Sequence, residues 1–441
     1  MKIAWFTPLN RRSAIGQYSA CILEELVRTE QVVVYVSDTD QVDACWPVDA
    51  ELAFLSKIEP AQLSHLLSGY DCVVYNMGNH HGYHGSIYEA SLKHPGIVIL
   101  HDVVLQHFFG GYFLELQRDW DAYIRHMAYA HGPEGEQLAK LIRAGRERAV
   151  WDGSAAVQYH MAKLAVRRKY GVIVHSDFAK RQLEPITAAP VRKINFPEPR
   201  MSKWFPRRPF ARRTTPEDKI HVLTFGMVNR NKMVDLVIET IGGSELLRNH
   251  VIYTVIGVIE AGEYSKTIAE VIRKHDLGSC VRLLGPQPDE VLIESLLTTD
   301  FAVNLRYPYL GESSWSLLEA LFAGKPTIVW RHGYYDEFPD NVVKKVASKD
   351  ELLSALTELC RNSEARLAMA EEAWSYARKH FDTKQYCRQL LDFIEYARLN
   401  RPILDLVDHM SDRLLEMPAN SESAALVETL EREICRLAAI D

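Results

Sequence analysis

Apolar residues fall along this chain in two alternating patterns. Short, nearly unbroken apolar runs end at a glycine or a polar residue, and longer segments follow in which apolar side chains recur every three or four positions. Lys2–Pro8, Val32–Val36, Cys72–Asn76, Ile97–His101 and Gly171–His175 show the first pattern, which suits strands buried on both faces of a parallel sheet. The segment after the first run carries Ile22, Leu23 and Leu26 on one helical face. Residues about 112–169 read as mostly helical, an insertion before the run at Gly171–His175, and Ser176 reads as the N-cap of a helix starting at Asp177. The alternation resumes at Ile220–Gly226 and continues through Val251–Gly257, Gly262–His275, Val281–Leu284 and Pro288–Leu297. Strands alternating with helices in this way predict α/β structure with mainly parallel sheets.

The pattern breaks once in the middle. Between positions 197 and 216 there are five prolines and six basic residues without periodicity, which predicts a linker between a first domain at 1–196 and a second at 217–381. A chain of 441 residues is also too long for one core of ordinary size. Helices are expected at about 349–361, 363–379 and 382–398, the last closing the fold. Pro402–Met417 and Ala424–Ala439 read as further helices in an extension, 401–441, outside the catalytic fold. In that extension Val427, Leu430, Ile434 and Leu437 form an apolar stripe that needs a partner.

The opening stretch of chemical interest is Phe301–Val329, which reads as strand, polar loop, helix, turn and strand. Pro308 and Gly311 interrupt regular structure, and Ser313 or Ser314 can cap the helix that follows. Gly324 supplies a left-handed C-cap position, with Pro326 blocking continuation. Ligands of doubly wound sheets sit at the carboxyl ends of strands, where Arg306, Glu312 and the first helical turn are expected. Glu319 lies among Leu317, Leu318, Ala320 and Leu321, a costly place for a carboxylate unless a ligand such as a sugar supplies hydrogen bonds. The strand at 97–101 ends in His101-Asp102, two ionisable groups at the same kind of edge. Lys232 follows Gly226 at a predicted helix start, where a phosphate would be attracted by both.

Composition removes several functions. Hydrophobic residues at 47% and charged residues at 25% describe a globular protein, and the net charge of −7 disfavours nucleic acid as the main partner. No apolar run is long enough to span a bilayer, and the N-terminus enters a strand without a signal-peptide pattern, so a cytosolic protein is expected. The linker's bases leave peripheral contact with an anionic membrane face open. The seven cysteines are dispersed and fit reduced structural thiols. Ala14-Ile15-Gly16 lacks the three glycines of a dinucleotide fingerprint. His80, His81 and His84 have no acidic or thiol ligand at a recognised spacing, and Asp38-Thr39-Asp40 reads as a turn, so neither a metal nor a cofactor is expected.

Taken together, residues 1–398 resemble the retaining glycosyltransferases of GT-B architecture, in the group 1 (family 4) set. That resemblance implies two Rossmann-like domains facing a cleft, with a nucleotide diphosphate sugar as co-substrate. It implies that Glu319 binds the nucleotide ribose, and that Glu312, Gly311, Ser313 and Ser314 meet the donor sugar and diphosphate. Here six residues separate the two glutamates where the family has seven, and Ala323-Gly324-Lys325-Pro326 is a shortened form of the segment that follows. The family's glycine-arginine-x4-lysine segment appears as Gly226-Met227 with Lys232; Arg230 or Arg306 is left to supply the missing charge. Leu100-His101-Asp102 matches the family's donor-sugar histidine, and the segment around Gly16 its first glycine loop. His101, Lys232 and Glu312 are thereby the implied catalytic group, with Asn79, His84 and Asp102 on the acceptor side. The implied chemistry is front-face transfer to a saccharide or lipid-linked saccharide, as in bacterial surface polysaccharide synthesis, with the leaving phosphate taking the acceptor's proton. A sugar phosphorylase or epimerase of the same fold, a periplasmic-type binding protein, and a catalytically silent assembly subunit are the competing readings. The C-terminal helices leave an oligomer or a further domain open.

Overall fold

The computed structural model describes residues 1–9, 13–40, 49–206, 219–259 and 262–416. Linker positions 207–216 and the predicted helix at Ala424–Ala439 lie outside the described residues, as do Cys45 and Cys435.

Two parallel sheets form the framework. The first contains β1 (Lys2–Thr7), β2 (Gln31–Val36), β3 (Glu51–Phe54), β4 (Cys72–Met77), β5 (Ile97–Leu100), β6 (Gly171–Val174) and β7 (Val191–Lys193), in the order β3-β2-β1-β4-β5-β6-β7. The second contains β8 (Ile220–Phe225), β9 (Val251–Ile256), β10 (Val281–Leu283), β11 (Phe301–Asn304), β12 (Thr327–Trp330) and β13 (Lys344–Val346), in the order β10-β9-β8-β11-β12-β13. Every described pairing is parallel, for example Ile3 opposite both Val32 and Cys72. Both sheets reverse strand order at their centre, and the strand ends there open a crevice.

The central strands are the predicted apolar runs because both of their faces are covered by helices: β4 is buried at all six positions. The four-residue β3 and three-residue β7 at the edges are partly exposed and lack such runs, so periodicity did not reveal them. Ser176 caps the helix Asp177–Leu183 by accepting from Ala179 N. The insertion contains the helix Trp120–Arg143, broken at Gly132-Pro133.

The C-terminal helix departs from the expected division at residue 400. It runs without a break from Thr383 to Glu416, through Pro402. Contacts with the first domain hold it on both sides of the proline: Arg398 faces Asp71 at 3.9 Å, Arg401 lies over the Tyr170 ring, and Tyr170 donates to Asp405 at 3.0 Å. Tertiary contacts thus carry the helix past a residue that removes one backbone donor. The linker's Arg200 and Lys203 both pair with Glu24 on the first helix, at 2.7 and 3.0 Å, so their charge is already engaged by protein. The five described cysteines, at 21, 72, 280, 360 and 387, are buried and unbonded.

The two domains touch on the cleft floor and at the hinge. Val104 N donates to Leu310 O at 3.1 Å, and the Tyr18 and Tyr386 hydroxyls share a hydrogen bond. Gly311 faces Val103 with φ of 82°, and a Cβ there would lie 2.7 Å from Val103 Cβ. No L-side chain fits that position without parting the domains.

Candidate functional site: facing strand ends

On the second domain, β11 ends at Asn304 and the chain crosses the cleft edge before the helix Trp315–Phe322. Ser314 is the cap, accepting from Leu317 N at 3.2 Å. Its hydroxyl is therefore committed to the helix, while Ser313 stands half-buried just before it. Arg306 and Glu312 close the loop on itself: Arg306 Nη1 lies 3.1 Å from Glu312 Oε1, and Glu312 Oε2 accepts from Leu310 N at 2.9 Å. Burial works against the guanidinium's charge, but Glu312 outweighs it and holds Arg306 above its usual range. Arg306 Nε is buried with no partner, which leaves a donor for a ligand.

Glu319 lies one turn into the helix and is 5% exposed. The only described hydrogen bond to its carboxyl comes from Trp315 Nε1 to Oε1 at 2.9 Å. Burial pushes its carboxyl up to about 8, against the Trp315 hydrogen bond that lowers it. An unliganded Glu319 is thus protonated at neutral pH, and hydroxyl donors would favour its ionised form.

Lys232 ends a short 3-10 turn, Arg230–Lys232, before the helix Val234–Gly242. It is 4% exposed, and Nζ donates to Phe225 O at the end of β8. Burial, and then repulsion from Arg306, depress its basicity far below the usual lysine range. Gly226 makes room for it, since a Cβ there would approach Nζ to 2.9 Å. Of the two arginines predicted to replace a missing charge, Arg306 lies in this cluster. Arg230 is exposed and lies over the Tyr264 ring, and Met227 is 66% exposed.

The first domain contributes the ends of β4 and β5. Asn76 organises this side: Nδ2 donates to Phe6 O at 2.9 Å, Oδ1 faces His101 Nε2 at 3.2 Å, and its carbonyl faces His84 Nδ1 at 3.1 Å. Because the amide nitrogen is used on Phe6, Oδ1 must accept, so His101 carries its proton on Nε2 and presents Nδ1 as a lone pair. Burial drives His101 well below the usual histidine range and His84 down to about 3. Both rings are neutral. Asp102 Oδ2 accepts from Asn79 N at 2.9 Å. Burial and the facing Glu312 push its carboxyl up to about 7. Asn79 spends its side-chain oxygen on Phe108 N at 2.9 Å, and His84 is 2% exposed. Gly16 N is held by the Ser13 cap at 3.3 Å.

Most of the predicted residues therefore fall into two sets, with the exposed Arg230 in neither. Lys232, Arg306, Glu312, Glu319, His101 and Asp102 converge on the cleft, while Asn79, His84, Ser314 and Gly16 make the bonds that hold its walls. Asn76 was not singled out from sequence. A lone amide inside the apolar run Cys72–Met77 was the available signal for Asn76. Asp38 Oδ1, just after β2, accepts from Leu9 N at 2.8 Å.

Opposed strand ends of two such domains, with basic and acidic side chains gathered between them, are the arrangement of the GT-B fold. Residues 207–375, most of which lie in the second domain, match the family model of the glycosyl transferases group 1. Among solved structures, the chain is similar to Anabaena HepE in complex with UDP and glucose, at 15% identity and TM-score 0.59, covering 90% of this chain and 100% of that one. Sucrose-phosphate synthase from Thermosynechococcus elongatus is similar at 12% identity and TM-score 0.60, over 90% and 98% of the two chains. WaaG, a glycosyltransferase involved in lipopolysaccharide biosynthesis, is similar at 16% identity and TM-score 0.57, over 89% and 99%. These likenesses show the GT-B fold over about 90% of the chain. No curated protein sequence matches the chain. No helix among the described residues is long and apolar enough to cross a membrane.

Proposed function

We propose that the protein transfers a sugar, with retention of anomeric configuration, from a nucleotide diphosphate sugar to a saccharide or lipid-linked saccharide. The observation that carries this reading is the pair of basic side chains, Lys232 and Arg306, set among Glu312, Glu319 and Asp102 where the strand ends of the two domains face each other; a bound diphosphate would restore the Lys232 charge that burial opposes. Loss of a sugar from a diphosphate develops negative charge on the leaving oxygens. Preorganised cations in a water-poor cleft stabilise that charge, and a lost donor of this kind costs ~10²–10³ in turnover. Their position supports transfer without a bound metal ion.

In this reading Glu319 accepts from ribose hydroxyls. Glu312, tied to Arg306 on the loop that meets the first domain, contacts the transferred sugar. The His101 lone pair accepts from a sugar hydroxyl on the other side. The uridine nucleotide bound in HepE supports UDP as the nucleotide to try first. The WaaG likeness supports a role in bacterial surface polysaccharide or glycoconjugate synthesis at the inner membrane face.

The test is UDP release from a panel of UDP-sugars with and without glycan acceptors, followed by NMR of the product's anomeric configuration. Acceptor-dependent UDP release with retained configuration is expected. An inverted product defeats the stereochemical part. A silent assembly subunit would bind nucleotide and release none, and an epimerase would convert the sugar nucleotide with no acceptor present.

A further inference from the structure

A second cavity, of about 660 Å³, lies on the hinge side of the cleft between the ends of β6 and β7 and the segment after β12. None of the residues assigned above lines it. Its volume falls within the range of small-ligand sites. Two residues on its wall bring buried polar atoms with no protein partner: His175 Nε2 and the Tyr334 hydroxyl. His175 is 2% exposed and Tyr334 4%. The His175 ring holds its proton on Nδ1, which faces Ile194 O at 2.9 Å, and burial lowers the ring to about 4. Nε2 is therefore a lone pair seeking a donor, and the Tyr334 hydroxyl can give or accept. Orphaned groups of both kinds fit a ligand rich in hydroxyls.

The charges on the wall argue against a phosphate-bearing ligand. Lys193 is already bridged to Asp177 and to Glu337, at 2.7 Å each. Arg181 and Lys193 face Asp177, Asp336 and Glu337, which leaves one carboxylate in excess. Phe178 and Tyr376 add aromatic surface, suited to the apolar face of a pyranose. The cavity also abuts the cleft, because the rings of His175 and His101 are 5.2 Å apart.

We propose that this hinge-side cavity binds a neutral saccharide, the acceptor of the transfer. The acceptor role rests on the glycosyltransferase reading; the binding chemistry rests on the cavity itself. It places acceptor recognition on both domains at the hinge, away from the cations that hold the donor.

Tyr334→Phe tests it sparingly, since the hydroxyl it removes has no protein partner and the fold loses nothing. Maltose, cellobiose and lactose are titrated by saturation-transfer NMR against wild type, Tyr334→Phe and Glu319→Gln, with UDP titrated into the same samples. At least one disaccharide should bind wild type, bind Tyr334→Phe about tenfold more weakly, the scale of one lost hydrogen bond, and bind Glu319→Gln unchanged. UDP should bind wild type and Tyr334→Phe alike. No disaccharide binding to wild type, or binding weakened by Glu319→Gln and indifferent to Tyr334→Phe, overturns the proposal. Disaccharide binding of the expected pattern, with no binding of UDP nor of GDP and ADP titrated in the same way, sinks the transferase reading, and with it the acceptor role, while showing the cavity itself to be a saccharide site.

Discussion

Replacing Glu319 by glutamine removes a carboxyl that folding leaves poorly solvated. In the folded protein its proton is held up to about 8, against 4.5 for an ordinary glutamate. Between those values the folded state keeps a proton that the unfolded chain has released, so stability falls as pH rises through this window and levels off above about 8. At 1.36 kcal/mol per unit, the loss reaches roughly 3 kcal/mol by pH 7 and about 5 by pH 9. Glu319→Gln keeps the oxygen that accepts from Trp315 and has no proton to lose. Its denaturation midpoint should be close to that of wild type at pH 5 and above it at pH 8, with a flatter profile between. Midpoints measured across pH 5–9 decide this; parallel profiles would show that Glu319 ionises freely and that the burial argument is wrong. The same linkage predicts proton release when ribose hydroxyls satisfy the carboxylate. Calorimetric titration of UDP at pH 7 in buffers of different ionisation enthalpy should show it for wild type, and not for Glu319→Gln.

Lys232→Ala should lower turnover by ~10²-fold or more, measured as acceptor-dependent UDP release; unchanged turnover removes Lys232 from the site. Gly311→Ala forces a left-handed alanine, at ~1–2 kcal/mol, against Val103. Turnover should fall and small-angle scattering should show a larger particle, whereas an unchanged radius with full activity would mean that the contact does not hold the domains together. Glu312→Gln breaks the pair with Arg306 and should depress turnover or change the accepted sugar, while Glu319→Gln should mainly raise the donor KM. Equal effects of the two on donor KM would refute the division of labour between them.

Much of this architecture was legible in the pattern of the chain. A central strand with helices on both faces must be apolar throughout, so β1, β2, β4, β5, β6, β8 and β11 announced themselves, and a parallel sheet then placed their ends on one edge. Local chemistry was equally readable where it is satisfied within a few residues: the cap at Ser176, a cap at Ser313 or Ser314 that the structure resolves as Ser314, and the left-handed Gly324 with φ of 64°. Glu319 stood out because a carboxyl among leucines is costly wherever the helix packs. What the sequence left open depends on groups distant along the chain. Arg306, not Arg230, joins Lys232 because the loop after β11 folds back over the end of β8, where Tyr307 N donates to Asn231 O at 2.7 Å. Asn79 and His84 hold the wall because Phe108 and Asn76 consume their polar atoms. Pro402 lies inside a helix because residues of the first domain, far away in sequence, hold both sides of it. The Gly311 contact and the hinge cavity belong to two domains at once. Periodicity reports which face of an element is buried; only the packed structure decides against what.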